Sequence, residues 1–176
     1  MIGDRWGATP AEIAARHPCD ALLANDAAHA DRAISVAAPV DTVFRWLCQL
    51  RLAPYSYDLL DNRGRTSPRE LTPGLDRLDA GQRFMTIFEL VSFAAGEHIT
   101  LRSGPRCAVT YAVAPDAAGT RLLVRVCVAL PALLAAPLFV GDLVMMRKQL
   151  LTLRELAERD AAAEAAPRAS ATALGG

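Results

Sequence analysis

The chain has 176 residues and a mass of 18.8 kDa, the size of one domain. Its 52% hydrophobic and 22% charged residues suit an ordinary globular core and exclude a disordered chain, a collagen and a coiled coil. Nineteen Lys and Arg against nineteen Asp and Glu leave no net charge, so no general field draws the protein to nucleic acid or an anionic membrane.

The four cysteines, Cys19, Cys48, Cys107 and Cys127, lie far apart and show none of the short spacings of zinc or redox motifs. On spacing alone, no metal and no cofactor are expected, and free thiols point to a reducing cytoplasm. Asp4, Arg5, Glu12 and Arg16 stand where a secretory signal needs an apolar run. The most apolar stretch, Val126 to Gly141, is shorter than the ~20 residues of a membrane span and contains Pro131 and Pro137. No stable membrane insertion is expected.

Residues 1–31 read as an N-terminal helical extension. Within it, Thr9-Pro10-Ala11-Glu12 sets a capping threonine, a proline at the first helical position and a glutamate at the third. Arg32 to Ala37 alternates, with Ile34 and Val36 on one face, and predicts a short strand. From Pro39 the apolar residues Val40, Val43, Phe44, Leu47 and Leu50 recur at the spacing of one helical face, and Pro54 ends the run. The segment YSYDLLDN, Tyr55 to Asn62, predicts a short second helix, stopped at Asn62-Arg63-Gly64. Arg65 to Gly81 is polar and rich in turn formers, a long loop of the kind that serves as a lid.

The second half predicts strands. Arg83 to Phe93, Glu97 to Ser103, Arg106 to Ala114 and Thr120 to Leu130 alternate or are β-branched, with turns at Gly96, Gly104-Pro105 and Pro115 to Gly119. Cys107, Val109, Tyr111 and Val113 share one face, as do Leu122, Val124, Val126 and Val128, which leaves Arg121 and Arg125 facing water. A long helix is expected from Asp142 to Asp160. Its apolar stripe is Leu143, Met146, Leu150, Leu153 and Ala157, and Lys148, Thr152, Glu155 and Arg159 are its wet side. Residues 161–176 read as a disordered, alanine-rich tail.

This order of elements resembles the SRPBCC superfamily, the START-like and polyketide-cyclase-like proteins of the helix-grip fold. The residues that carry it are RAISVAAPVDTVFRWLCQL (Arg32 to Leu50), YSYDLLDN, TRLLVR (Thr120 to Arg125) and GDLVMMRKQLLTLRELAE (Gly141 to Glu158). The resemblance implies an α+β domain over 32–160, in which a curved antiparallel sheet wraps around a long C-terminal helix. It also implies a deep apolar cavity between the two. Members bind lipids, sterols, polyketides or hormones there, and some cyclise polyketides.

Candidate cavity residues are the aromatics and methionines Trp46, Phe84, Phe88, Tyr111, Phe139, Met145 and Met146, the last two able to adapt to varied ligands. Tyr55 and Tyr57 are candidates for the cavity mouth, where a phenol can meet a ligand carbonyl. Glu89, inside the apolar run MTIFELVSF, is either a polar handle in the cavity or part of the wet outer face. His17, His29 and His98 are scattered and form no recognisable triad. The expected function is binding of a small hydrophobic or amphipathic ligand. Two alternatives stay open: a cyclase or dehydratase working by tyrosine or carboxylate proton transfer, and a protein-interaction module with a filled core. No catalytic residue is assigned.

Overall fold

The computed structural model describes residues 3–23, 27–57 and 64–173. In chain order the elements are β1 (Arg5–Trp6), α1 (Pro10–Ala14), a 3-10 turn (Pro18–Leu22), β2 (Ala28–Val36), α2 (Val40–Cys48), a second 3-10 turn (Gln49–Arg51), β3 (Arg83–Phe84), β4 (Phe88–Ala94), β5 (His98–Ser103), β6 (Cys107–Asp116), β7 (Gly119–Val128) and α3 (Ala132–Ala173). The strands form one seven-stranded curved sheet in the order β1-β2-β7-β6-β5-β4-β3. All neighbours are antiparallel except β1, which runs parallel to β2. Helices α2 and α3 pack on each other, and α3 crosses the concave face. This is the α+β helix-grip architecture, with a mixed rather than wholly antiparallel sheet.

The period-two patterns explain the core. Ala30, Ile34 and Val36 of β2, Val109, Tyr111 and Val113 of β6, and Leu122, Val124, Val126 and Val128 of β7 are buried on the concave side. There they meet Val43, Phe44 and Leu47 of α2 and Met146, Leu150, Leu153 and Ala157 of α3. β2 starts at Ala28, ahead of the predicted Arg32, because β7 offers Val126, Cys127 and Val128 as partners for Ala30, His29 and Ala28. The β6–β7 hairpin turns at Gly119, whose φ of +127° disfavours any side chain. A Cβ there would lie 2.7 Å from the Val36 carbonyl oxygen and 2.9 Å from the Ala38 backbone, so the turn also packs under the exit of β2.

Three predicted features take a different form. α3 begins at Ala132, not Asp142: the Pro131 carbonyl accepts the first helical amides, from Leu134 and Ala135, and Pro137 lies on the solvent side of a continuous helix. Ala135 and Phe139 thereby extend the buried stripe by two turns, whereas Thr152, expected to be wet, is buried and donates to the Lys148 carbonyl. The long loop is tied down rather than lid-like. Gln49 both donates to the Thr72 carbonyl and accepts from the Thr72 amide, and Arg51 donates to the Leu75 carbonyl. Of the predicted helix over Tyr55–Asn62, residues 58–62 lie outside the described residues. At its start Tyr55 has a φ of +56°.

The convex face is not open to water along β2 and β7. The capping box at Thr9 forms as expected: the Thr9 hydroxyl accepts from the Glu12 amide, and the Glu12 carboxylate accepts from the Thr9 amide. α1 and the first 3-10 turn then lie over β7, where Arg121 and Arg125 hold them. Arg125, expected to face water, is 3% exposed. It donates to the Asp31 and Asp20 carboxylates and to the carbonyls of Glu12, Ile13 and Ala15. Arg121 pairs with Glu12 at 2.7 Å and donates to the Gly7 carbonyl. Arginines on an outer strand face are solvated only when nothing docks there, and here the N-terminal segment does. At the other end, Ala161 still packs against the core and Glu164 pairs with Arg45 at 3.0 Å. No helix is long and apolar enough to cross a membrane among the described residues.

Candidate functional site

A cavity of about 760 Å³ opens between the concave face and the first half of α3. Its sheet wall is Cys107, Val109, Tyr111, Val126 and Val128, from the ends of β6 and β7 that pair with each other. Its helix wall is Leu138, Phe139, Asp142, Met145, Met146 and Gln149, one face of α3 over three turns. The rim is formed by Leu52, Pro54, Ser56 and Arg65 on one side and by Met85 to Ile87, the turn between β3 and β4, with Phe88 at the start of β4, on the other. That turn is backbone-strained, with Met85 and Thr86 at φ of 45° and 69°.

Of the sequence candidates, Phe88, Tyr111, Phe139, Met145 and Met146 line this space. Trp46, Tyr55 and Phe84 are fully buried in the core beside it. Trp46 meets Tyr55 edge-on at 5.9 Å between ring centres and donates from its indole to Asp160. Tyr57 is exposed and follows Ser56 of the rim in the chain, but is not itself among the residues that line the cavity. Glu89 is also exposed, in register with Arg83 of β3 and Arg102 of β5 on the outer side of the sheet.

Three polar groups set the chemistry of the wall. Tyr111, completely buried, donates to the Gln149 side-chain oxygen at 2.8 Å, and the Gln149 amide donates to the Pro54 carbonyl at 2.6 Å. Burial pushes the Tyr111 phenol well above its usual range, so it acts as a neutral donor and not as a base. Asp142 stands on the wall 3.1 Å from the guanidinium of Arg32, a residue with no solvent exposure on the concave face of β2. Arg32 is further satisfied by the carbonyls of Gly3, Asp4, Asp31 and Phe139. Burial raises the Asp142 carboxyl pKa and lowers that of Arg32, with each partner opposing the shift. Cys107 is pushed up to about 11 by burial, an un-ionised thiol in the wall.

Sequence reasoning missed Arg32, Asp142 and Gln149. A signal for each exists. Arg32 continues the inward series of Ile34 and Val36, and Asp142 and Gln149 sit three residues on from Phe139 and Met146 in the buried stripe. A charged or amide residue at an apolar position of a periodic pattern marks a buried partner or a ligand wall.

A different cluster lies on the convex side. Cys19 of the first 3-10 turn and Cys127 of β7 bring their sulfurs 3.6 Å apart, beside the carboxylate of Asp20. The two cysteines are separated by most of the chain, so spacing within the sequence carries no trace of this meeting.

No family model matches the chain, and no curated protein matches it. Solved structures do. Protein CV1439 from Chromobacterium violaceum is 15% identical with a TM-score of 0.50, covering 74% of this chain and 97% of its own. Protein NE0264 from Nitrosomonas europaea is 14% identical with a TM-score of 0.50, over 76% of this chain and 96% of its own. A Rhodobacter sphaeroides protein is 16% identical with a TM-score of 0.51, over 73% and 90%. At such identities the likeness is one of fold alone.

Proposed function

We propose that this protein binds a small hydrophobic or amphipathic ligand in the cavity between sheet and α3, as a START-like member of the SRPBCC superfamily. The observation that carries the reading is the cavity itself. Its 760 Å³ falls within the ~300–1,000 Å³ of small-molecule sites. Its wall is mostly Val, Leu, Phe and Met side chains, interrupted by the few polar groups that fix an orientation.

Binding is driven by removing apolar ligand surface from water, ~0.8 kcal/mol for each methylene buried. Met85, Met145 and Met146 lend the wall three unbranched, polarisable side chains that adjust to the shape of the guest. Asp142 and Gln149, two turns apart on the same face of the helix wall, offer two separate polar positions, either of which can receive the polar end of an amphipathic guest, such as a hydroxyl or an amide.

A thermal-shift panel of fatty acids, sterols and aromatic polyketides tests this. A ligand at a hundred times its Kd stabilises by ~2.7 kcal/mol. For a chain of this size that is a rise in melting temperature of ~5–11 °C. Organic extraction of protein purified from its host, followed by mass spectrometry, names the ligand class. No rise with any class, together with an empty extract, rejects the reading and leaves the two alternatives, a cyclase or dehydratase and an interaction module.

A further inference from the structure

The convex cluster has a geometry of its own. The Cys19 and Cys127 sulfurs are 3.6 Å apart, and Asp20 Oδ1 lies 3.4 Å from Cys127 Sγ and 4.0 Å from Cys19 Sγ. A tetrahedral zinc ion with Zn–S of about 2.3 Å and Zn–O of about 2.0–2.2 Å has S–S edges of ~3.8 Å and S–O edges of ~3.5–3.7 Å. The observed separations match three edges of that tetrahedron, two to within about 0.3 Å and the Cys19–Asp20 edge to within about 0.5 Å. A disulfide, by contrast, needs its sulfurs at about 2.05 Å.

The surroundings hold these atoms in place. Asp20 Oδ2 accepts from Arg125 Nη1 at 3.0 Å and from the His17 amide at 2.8 Å, which turns Oδ1 toward the two sulfurs. The Cys19 amide donates to the Thr110 hydroxyl on β6, pinning the turn that carries both Cys19 and Asp20. Both cysteines are almost fully buried, and Leu22 and Leu23 pack beside them. Two thiolates and a carboxylate carry three negative charges; a divalent ion reduces that to one, facing the Arg125 guanidinium. Thiolate ligands select soft and borderline metals over magnesium or calcium.

We propose that Cys19, Asp20 and Cys127 form a zinc site, with water completing the tetrahedron, that clips the N-terminal segment to β7. The site is on the opposite side of the sheet from the cavity, so it stands or falls independently of the ligand-binding reading.

The test uses the full chain, reduced, stripped with a chelator and titrated with Co²⁺, then with Zn²⁺. The expected result is one Co²⁺ per chain, with visible bands of tetrahedral cobalt and a near-ultraviolet charge-transfer band of two-thiolate intensity, all lost when Zn²⁺ displaces it. Cys127→Ser and Cys19→Ser weaken binding by more than the ~10–100-fold typical of an outer-shell partner. Asp20→Asn weakens it while the thiolate band remains, and Cys48→Ala leaves it unchanged. The wild-type spectrum alone decides the matter if a cysteine variant fails to fold. Three results overturn the proposal: no cobalt spectrum with four free thiols, a spectrum lost on Cys48→Ala but kept without Cys127, or a mass short of two hydrogens that marks a Cys19–Cys127 disulfide.

Discussion

Val126 offers a test of the cavity that needs no knowledge of the ligand. It sits on β7 between Ala30 of β2 and Val109 of β6, with its side chain on the cavity wall. In Val126→Trp the indole points into the 760 Å³ space. An aromatic side chain buries ~150–250 Å², so the exchange removes ~100 Å² more apolar surface from water, worth ~2.5 kcal/mol at ~25 cal/mol per Å². Ordering the ring and imperfect contact with the wall reduce this, and the expected change is a stabilisation of ~0–2 kcal/mol. In a filled core the same substitution destabilises by ~1–3 kcal/mol. Urea denaturation at constant m value separates the two signs. The same variant should also lose the melting-temperature response to any ligand that stabilises the wild type. A loss of ~1–3 kcal/mol, or an undiminished ligand response, refutes the reasoning from cavity to function.

Arg125→Ala strands the buried Asp31 carboxylate and three carbonyls of the N-terminal segment. It should cost ~3–5 kcal/mol, with Arg125→Lys restoring only part, and free the backbone around the already exposed Arg16 for faster trypsin cleavage; a cleavage rate equal to wild type contradicts the docking role. The hydrogen bond from Arg121 holds the Glu12 carboxyl at about 2, below the ordinary 4.5, against the opposing effect of burial. Its stabilising contribution is therefore complete above about pH 4.5 and is lost as pH falls through about 2. Amide exchange in α1 should accelerate across that window in wild type, and Glu12→Gln should flatten the response. Tyr111→Phe leaves the Gln149 side-chain oxygen without its donor and should destabilise by ~1–3 kcal/mol, read by chemical denaturation.

The architecture was legible where a residue's position in a period decides its burial. The alternation from Cys107 to Val113 and from Leu122 to Val128 named the concave face of β6 and β7, and the spacing of Val43, Phe44 and Leu47 named the buried face of α2. Five cavity-wall residues followed from the same patterns together with the family resemblance. What stayed hidden depends on contacts between distant parts of the chain. Arg121 and Arg125 carry the outward signature of solvated residues, and only the docked segment makes them internal. Pro137 reads as a helix breaker, and nothing local announces that α3 starts at Ala132 and runs through it. Cys19 meets Cys127 through the pairing of β2 with β7 and the fold-back of the turn, which no local spacing encodes.

The charges of β2 also act as an alignment code. Asp31 and Arg32 are neighbours that point to opposite faces: Asp31 bonds to Arg125 on the convex side, and Arg32 to Asp142 on the concave side. Because strand side chains alternate with a period of two, a slip of one residue between β2 and β7 would invert both. The guanidinium of Arg32 would then meet Arg125 under the N-terminal segment, and the Asp31 carboxylate would enter the core near Asp142. Each misplacement sets like charges together away from water. The apolar residues of β2 alone, several of them small alanines, discriminate weakly between such alignments. The adjacent acid and base reject the wrong one on both faces at once, at the seam where an early strand joins the last strand of the sheet.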